Sequence, residues 1–249
     1  LVGVVLALLG AVAVLAPATA LAQAGPPLVT DDPDTPGDGH WEINLAALGG
    51  RSRLGRWDVS APDADINYGW GEHVQLKLDI PWAFAGEPGQ PWRSGLGQVN
   101  AGVKWRFVDE DERGFAMSIY PQYLSNWNSS SSNRGITPPD STLFLPLEVA
   151  GKLGSFSVDG EVGRALVEHH GGNWVLGGVV GHGCGEGLEC QFEIHKNFEP
   201  GNSQTLLNLG LHWKLSESLV LLAALGREVG PRVAEQQVQS FYLGLQFLR

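Results

Sequence analysis

Glu42, Asp63, Asp65, Asp79, Glu148, Asp159, Glu161 and Glu193, with Lys77, Lys104, Arg106, His212 and Lys214, stand at alternate positions in runs whose intervening residues are mostly apolar. Residues two apart on a β-strand share a face, so this spacing gathers the charges of each run on one side and its Leu, Val and Trp residues on the other. Opposed acids and bases on one face can brace each other or line a polar lumen and filter ions. The same acids on a face turned to lipid would be expensive, so the parity of the charges marks the interior.

Other chemistry-bearing residues are few. Cys184 and Cys190, with five residues between them, form a possible disulfide in an oxidising compartment, or are two independent small residues. His169-His170 could attract a transition metal or be a solvated loop. Thr30-Asp31-Asp32 reads as an acidic, Pro-bounded turn, with cation binding or capping of a barrel mouth as the alternative. His73, His182 and His212 fall on different strands with no Ser motif beside them, and the chain has no Gly-x-Ser-x-Gly, Walker loop, His-Glu-x-x-His or Cys-x-x-Cys. No catalytic residues, metal or cofactor are therefore expected, and the chain reads as no enzyme.

The elements that position the charges are strands. The chain of 249 residues is 43% hydrophobic and 17% charged. Beyond residue 24 no apolar run approaches the roughly 20 residues of a spanning helix. Alternation predicts about twelve strands, near 40–48, 57–68, 73–83, 97–107, 114–123, 142–152, 156–164, 173–182, 189–195, 204–215, 219–226 and 239–248. Parity changes near Pro62, which predicts a bulge or bend there. Every second connection is tight, such as Gly154-Ser155, whereas 85–96, 125–141 and 228–238 are long.

Placing the tight turns at one rim collects Trp41, Tyr68, Trp70, Trp105, Phe107, Phe115, Phe156, Trp213 and Phe247 there. Trp57, Trp82, Tyr123, Trp127, Phe144, Trp174 and Phe241 then fall at the other. Tight turns at one end, long loops at the other and two aromatic girdles predict an all-β fold, a transmembrane antiparallel up-and-down β-barrel. A soluble sandwich is the alternative. The strand ending at Phe247 also looks like the carboxy-terminal assembly signal of outer-membrane barrels.

Residues 1–24 are uncharged, rich in Leu, Val and Ala, and end in Ala22-Gln23-Ala24, which reads as a cleaved secretory signal peptide, with a short membrane anchor as the alternative. Residues 25–39, rich in Pro, Gly and Asp, read as an extended N-terminal segment, and 40–249 as the barrel. The net charge of −11 disfavours a nucleic-acid partner. Outer-membrane lipid and a small-molecule solute are the expected partners, and the sequence leaves the oligomeric state open.

Several stretches carry a family resemblance. They are Leu28-Val29-Thr30-Asp31-Asp32-Pro33-Asp34-Thr35, Gly39-His40-Trp41-Glu42, Asn67-Tyr68-Gly69 with Glu72-His73-Val74-Gln75-Leu76-Lys77, Gly95-Leu96-Gly97-Gln98-Val99, Gly102-Val103-Lys104-Trp105-Arg106-Phe107 and Ile119-Tyr120-Pro121-Gln122. Together they resemble the transporter-like outer-membrane proteins named for the meta-pathway of phenol degradation. Gln98 stands where that family often has Asp. The resemblance implies a bacterial outer-membrane channel or transporter for small, hydrophobic or aromatic solutes. A closed structural or adhesive barrel acting through its external loops is the other reading.

Overall fold

The computed structural model describes residues 24–199 and 203–249, so all of the expected signal peptide except Ala24 lies outside the described residues. Among these residues the sheet has 14 strands. They are β1 Trp41–Ser52, β2 Trp57–Gly69, β3 Val74–Gly86, β4 Arg93–Leu96, β5 Val99–Val108, β6 Phe115–Ile119, β7 Gln122–Ser125, β8 Thr142–Leu153, β9 Phe156–Val167, β10 Asn173–Gly185, β11 Leu188–Phe198, β12 Gln204–Ser216, β13 Leu219–Val229 and β14 Gln237–Leu248. Each pairs antiparallel with its neighbours, β1 pairs with β14, and the links β3 to β5 and β8 to β7 close the sheet on itself. β4 and β5 share one place in the ring and β6 and β7 another, which makes a closed barrel of 12 strands.

The two interrupted strands correct the expected boundaries, and prolines explain both. The strand expected at 97–107 begins at Arg93 and breaks at Gly97-Gln98, opposite Pro81. Pro81 accepts a hydrogen bond from the Gly97 backbone N–H at 2.8 Å but has no N–H to return. The strand expected at 114–123 breaks at Tyr120-Pro121, where Tyr120 N–H donates to Pro146 O at 3.2 Å and Pro121 O accepts from Val103 N–H at 3.0 Å. The bulge expected near Pro62 is present, as register shifts between Ala46 and Leu48 on one side and between Ser60 and Asp63 on the other.

Tight turns gather at one end, with Gly154-Ser155, Glu186-Gly187 and Glu217-Ser218 among them. Residues 126–141 form the longest connection at the other end and hold the one-turn helix Ser129–Asn133. The outward face is apolar. Leu209, Leu225 and Leu243 are 67%, 70% and 57% exposed. An apolar surface of this extent, repeated on strand after strand, is built to face lipid. Aromatics rim it at both ends, with Trp41, Trp105, Phe156 and Trp213 at the tight turns and Trp82, Tyr123, Trp127 and Trp174 at the loops. Phe144 does not join them. It shares the inward parity of Glu148, and its ring fills the space that a side chain on Gly163 would need.

Candidate functional site

The buried core of this protein lies inside the barrel, and much of it is a stretch of the chain itself. Residues 24–39 precede β1 and fold back into the lumen. Pro26, Pro27, Pro33 and Pro36 lack the N–H groups that a sheet ladder needs, so the segment turns on itself instead of adding a strand. Gly25 N–H donates to Thr30 O at 2.8 Å, Leu28 N–H to Gly25 O at 2.8 Å, and Asp34 N–H to Asp32 Oδ1 at 2.7 Å. The segment expected to be extended is thus a set of tight turns. Ala24 and Leu28 pack against Val179 and Ala224 of the wall, with Tyr242 beside them.

The wall holds the segment by its backbone and by its acids. Glu193, fully buried, accepts from Thr30 N–H at 2.6 Å and Val29 N–H at 3.1 Å, while Asn208 Nδ2 donates to its other oxygen at 2.6 Å. Lys104 Nζ lies 2.9 Å from Asp31 Oδ1 and 3.7 Å from Glu148 Oε2. It also donates to the Asp32 carbonyl and stands 4.6 Å from the centre of the Tyr120 ring. At the tight-turn rim, Arg106 Nη1 lies 3.4 Å from Asp34 Oδ1 and Nε lies 2.8 Å from Asp109 Oδ1.

Two wall glycines make the room. A Cβ on Gly177 would fall 2.3 Å from Thr30 Oγ1, and one on Gly210 would fall 2.8 Å from Leu28 Cδ2. Any side chain there would displace the segment.

The expected lumen residues divide three ways. Asp65, Lys104, Glu148, Asp159, Glu161, Glu193 and His212 are buried inside the barrel, and Glu42, Asp63, Lys77, Asp79 and Arg106 are half-buried on the same parity. Lys214 shares that parity but sits beyond the rim. Its ammonium is half-exposed and pairs with Glu217 of the tight turn at 3.3 Å. Among the acids and bases of this face, Asp65 pairs with Lys77 at 3.0 Å, whereas Lys104 turns to the N-terminal segment. Like-charged neighbours explain the need for both lysines. Asp65 faces Asp79 on the adjacent strand and Glu148 faces Glu161, arrangements that repel unless a cation stands by.

Neutral residues of the same alternation, Asn44, Gln75, Asn208 and Gln246, also face inward, and they are joined by Asn67 and Tyr120, which sequence reasoning missed. Gln75 Nε2 donates to Asn67 Oδ1 at 2.9 Å and to the Tyr120 hydroxyl at 3.1 Å.

The remaining candidates lie apart from the lumen segment. Cys184 and Cys190 are bonded across the tight turn between β10 and β11. His169 Nδ1 and His170 Nε2 each lie 3.2 Å from an oxygen of Asp140 at the loop end. His73 lies 3.5 Å from Asp109, and the His182 ring lies 4.8 Å from that of Phe156, so neither shares a site with His212.

Cavities lie on both sides of the segment within the lumen. One, about 330 Å³, opens toward the tight-turn end and is lined by Asp31, Glu42, Gln75, Lys104, Arg106 and His212. The other, about 340 Å³, faces the loops and is lined by Leu28, Asp63, Asp79, Leu206, Ala224 and Tyr242. Pro26, Asp65 and Lys77 border both, so the partition is the Pro26 turn together with one ion pair.

The chain matches no protein-family model and no curated protein. Among solved structures, an outer membrane channel from Pseudomonas putida F1 is similar, with 12% identity, 91% of this chain and 99% of that chain covered, and a TM-score of 0.63. The KdgM porin is similar at 10% identity, with 83% and 98% covered and a TM-score of 0.57. The NanC porin follows at 7% identity, with 84% and 99% covered and a TM-score of 0.53. At these identities the likeness is one of fold, and the fold is that of outer-membrane barrels.

Proposed function

We propose that this chain is an outer-membrane channel that admits small, partly apolar solutes past the segment held in its lumen. Exported barrels of this construction turn their tight connections to the periplasm and their loops outward. The observation that carries the reading is the divided lumen, with a cavity on each side of a partition made of one turn and one ion pair. The loop-end cavity sets Leu28, Leu206, Ala224 and the Tyr242 ring against Asp63 and Asp79. An apolar wall facing a few acceptors suits a small solute with an apolar body and a hydroxyl, as a hydroxylated aromatic ring has. The resemblance to the phenol-degradation family and the folds of the similar porins agree with it.

The test is single-channel recording on the mature chain in planar bilayers. A small ion current is expected, interrupted by catechol on the loop side and not by glucose. A current that catechol leaves untouched would remove the aromatic solute class. Absence of any current would instead support a sealed barrel acting through its loops, a reading that the closure of Lys104 on Asp31 favours.

A further inference from the structure

Charge is distributed unevenly between the two faces of the wall. Every Asp and Glu within the described strands lies on the inward parity, whereas the charged residues on the outward parity are all cations, namely Arg51, Arg164, Lys196 and Arg227. In a chain with a net charge of −11, composition would produce the opposite bias.

Three of these cations stand at one depth. Arg164 in β9, Lys196 in β11 and Arg227 in β13 are each the ninth residue of a strand that starts at a tight turn. The outward residues before them are apolar in every case, ending in Val162, Ile194 and Leu225. The pairing register agrees. Val162 is level with Leu176 and Lys196, and Ile194 is level with Leu207 and Arg227, so each cation is two residues lower than the one two strands away. Strands two apart lie about 10 Å apart, and a tilt of about 35–45° converts that stagger into equal height.

The row is also prepared for an anion. Arg164 lies 5.3 Å from the Trp174 ring and Lys196 lies 4.9 Å from the Phe198 ring. Among the described residues, none of the three cations forms an ion pair with a carboxylate. An outward cation costs least at the edge of the hydrocarbon, where a headgroup can meet it, and guanidinium and ammonium groups both bind phosphate well. We propose that Arg164, Lys196 and Arg227 form an outward ridge that binds the phosphorylated headgroups of lipids in the leaflet at the loop end. The proposal rests on the membrane reading above.

The test uses the mature barrel in a neutral detergent, with diphosphorylated lipid A as probe and native mass spectrometry to measure retained lipid. Wild type should retain the lipid and lose it as salt rises. The combined variant Arg164→Gln, Lys196→Gln, Arg227→Gln should bind about tenfold more weakly or worse, and each single change a few-fold more weakly. The charge-preserving set Arg164→Lys, Lys196→Arg, Arg227→Lys should bind as wild type, as should Arg113→Gln with Lys152→Gln at the tight-turn end. If the combined variant does not fold, the single variants and the salt dependence of wild type decide. Equal retention by the neutralised proteins, or equal retention of dephosphorylated lipid A by wild type, would overturn the proposal, as would displacement by inorganic phosphate at the lipid's own concentration. In all these outcomes the protein should still need detergent and migrate differently when boiled. Loss of that behaviour would instead count against the membrane reading itself.

Discussion

Lys104 and Asp31 are 73 residues apart in the chain, yet the ammonium of one lies 2.9 Å from the carboxylate of the other inside the barrel. Lys104 is almost fully buried, and its other neighbours include the Asp32 carbonyl, Glu148 and the Tyr120 ring. The pair ties the N-terminal segment to β5.

Removing one member leaves a charge buried without its partner. Lys104→Gln or Asp31→Asn should therefore cost about 3–5 kcal/mol, and the double change should cost less than the two singles together. Urea titration of the boiled and unboiled bands measures this. Strict additivity would show that the two groups do not act on each other.

The same substitution bears on ion selectivity. In a conducting protein, Lys104→Gln leaves Glu148 and Asp31 unopposed, so the reversal potential in asymmetric salt should move toward cation selectivity and the conductance should rise. An unchanged reversal potential would place Lys104 off the conducting path.

Gly177 gives a steric test of the lumen segment. Gly177→Val should expel Thr30, because a Cβ there already meets Oγ1 at 2.3 Å and Cγ2 at 2.8 Å. The variant should fold as a barrel, show faster proteolysis within residues 25–39 and conduct more than wild type. Resistance equal to wild type would mean that the segment does not rest on β10.

The outward parity predicts where charge is tolerated. Leu209→Arg and Leu243→Arg should each cost about 2–4 kcal/mol, whereas Ser240→Arg, which faces the loop-end cavity, should cost about 1 kcal/mol or less. Asn208 is a poorer inward control, since it donates to Glu193. Similar losses at both parities would contradict the register.

Much of the architecture was legible in the sequence because strand alternation is local. Val74 to Trp82 shows its two faces without reference to any other strand, and the inward acids, the Pro62 bulge and the two ends of the barrel follow from such local patterns. The interruptions at Gly97 and Tyr120 were not legible, because each depends on which proline lies opposite, and that is fixed only when the strands pair. Lys214 was misplaced for a related reason, since nearness to a rim in sequence does not say how far a tilted strand carries a side chain past it, whereas the inward place of Phe144 follows from its parity with Glu148 and was legible. The row formed by Arg164, Lys196 and Arg227 likewise needs the register of five strands.

The sequence by itself determined a strand-built wall with one apolar and one charged face, since a period of two needs only neighbouring residues. It also determined that residues 25–39, crowded with Pro and Gly, could not join that wall. Only the tertiary structure decided where the segment goes and which charges meet. Those outcomes depend on a closed ring that brings Glu193, Lys104 and the bare faces of Gly177 and Gly210 around one space, and no local pattern encodes that closure.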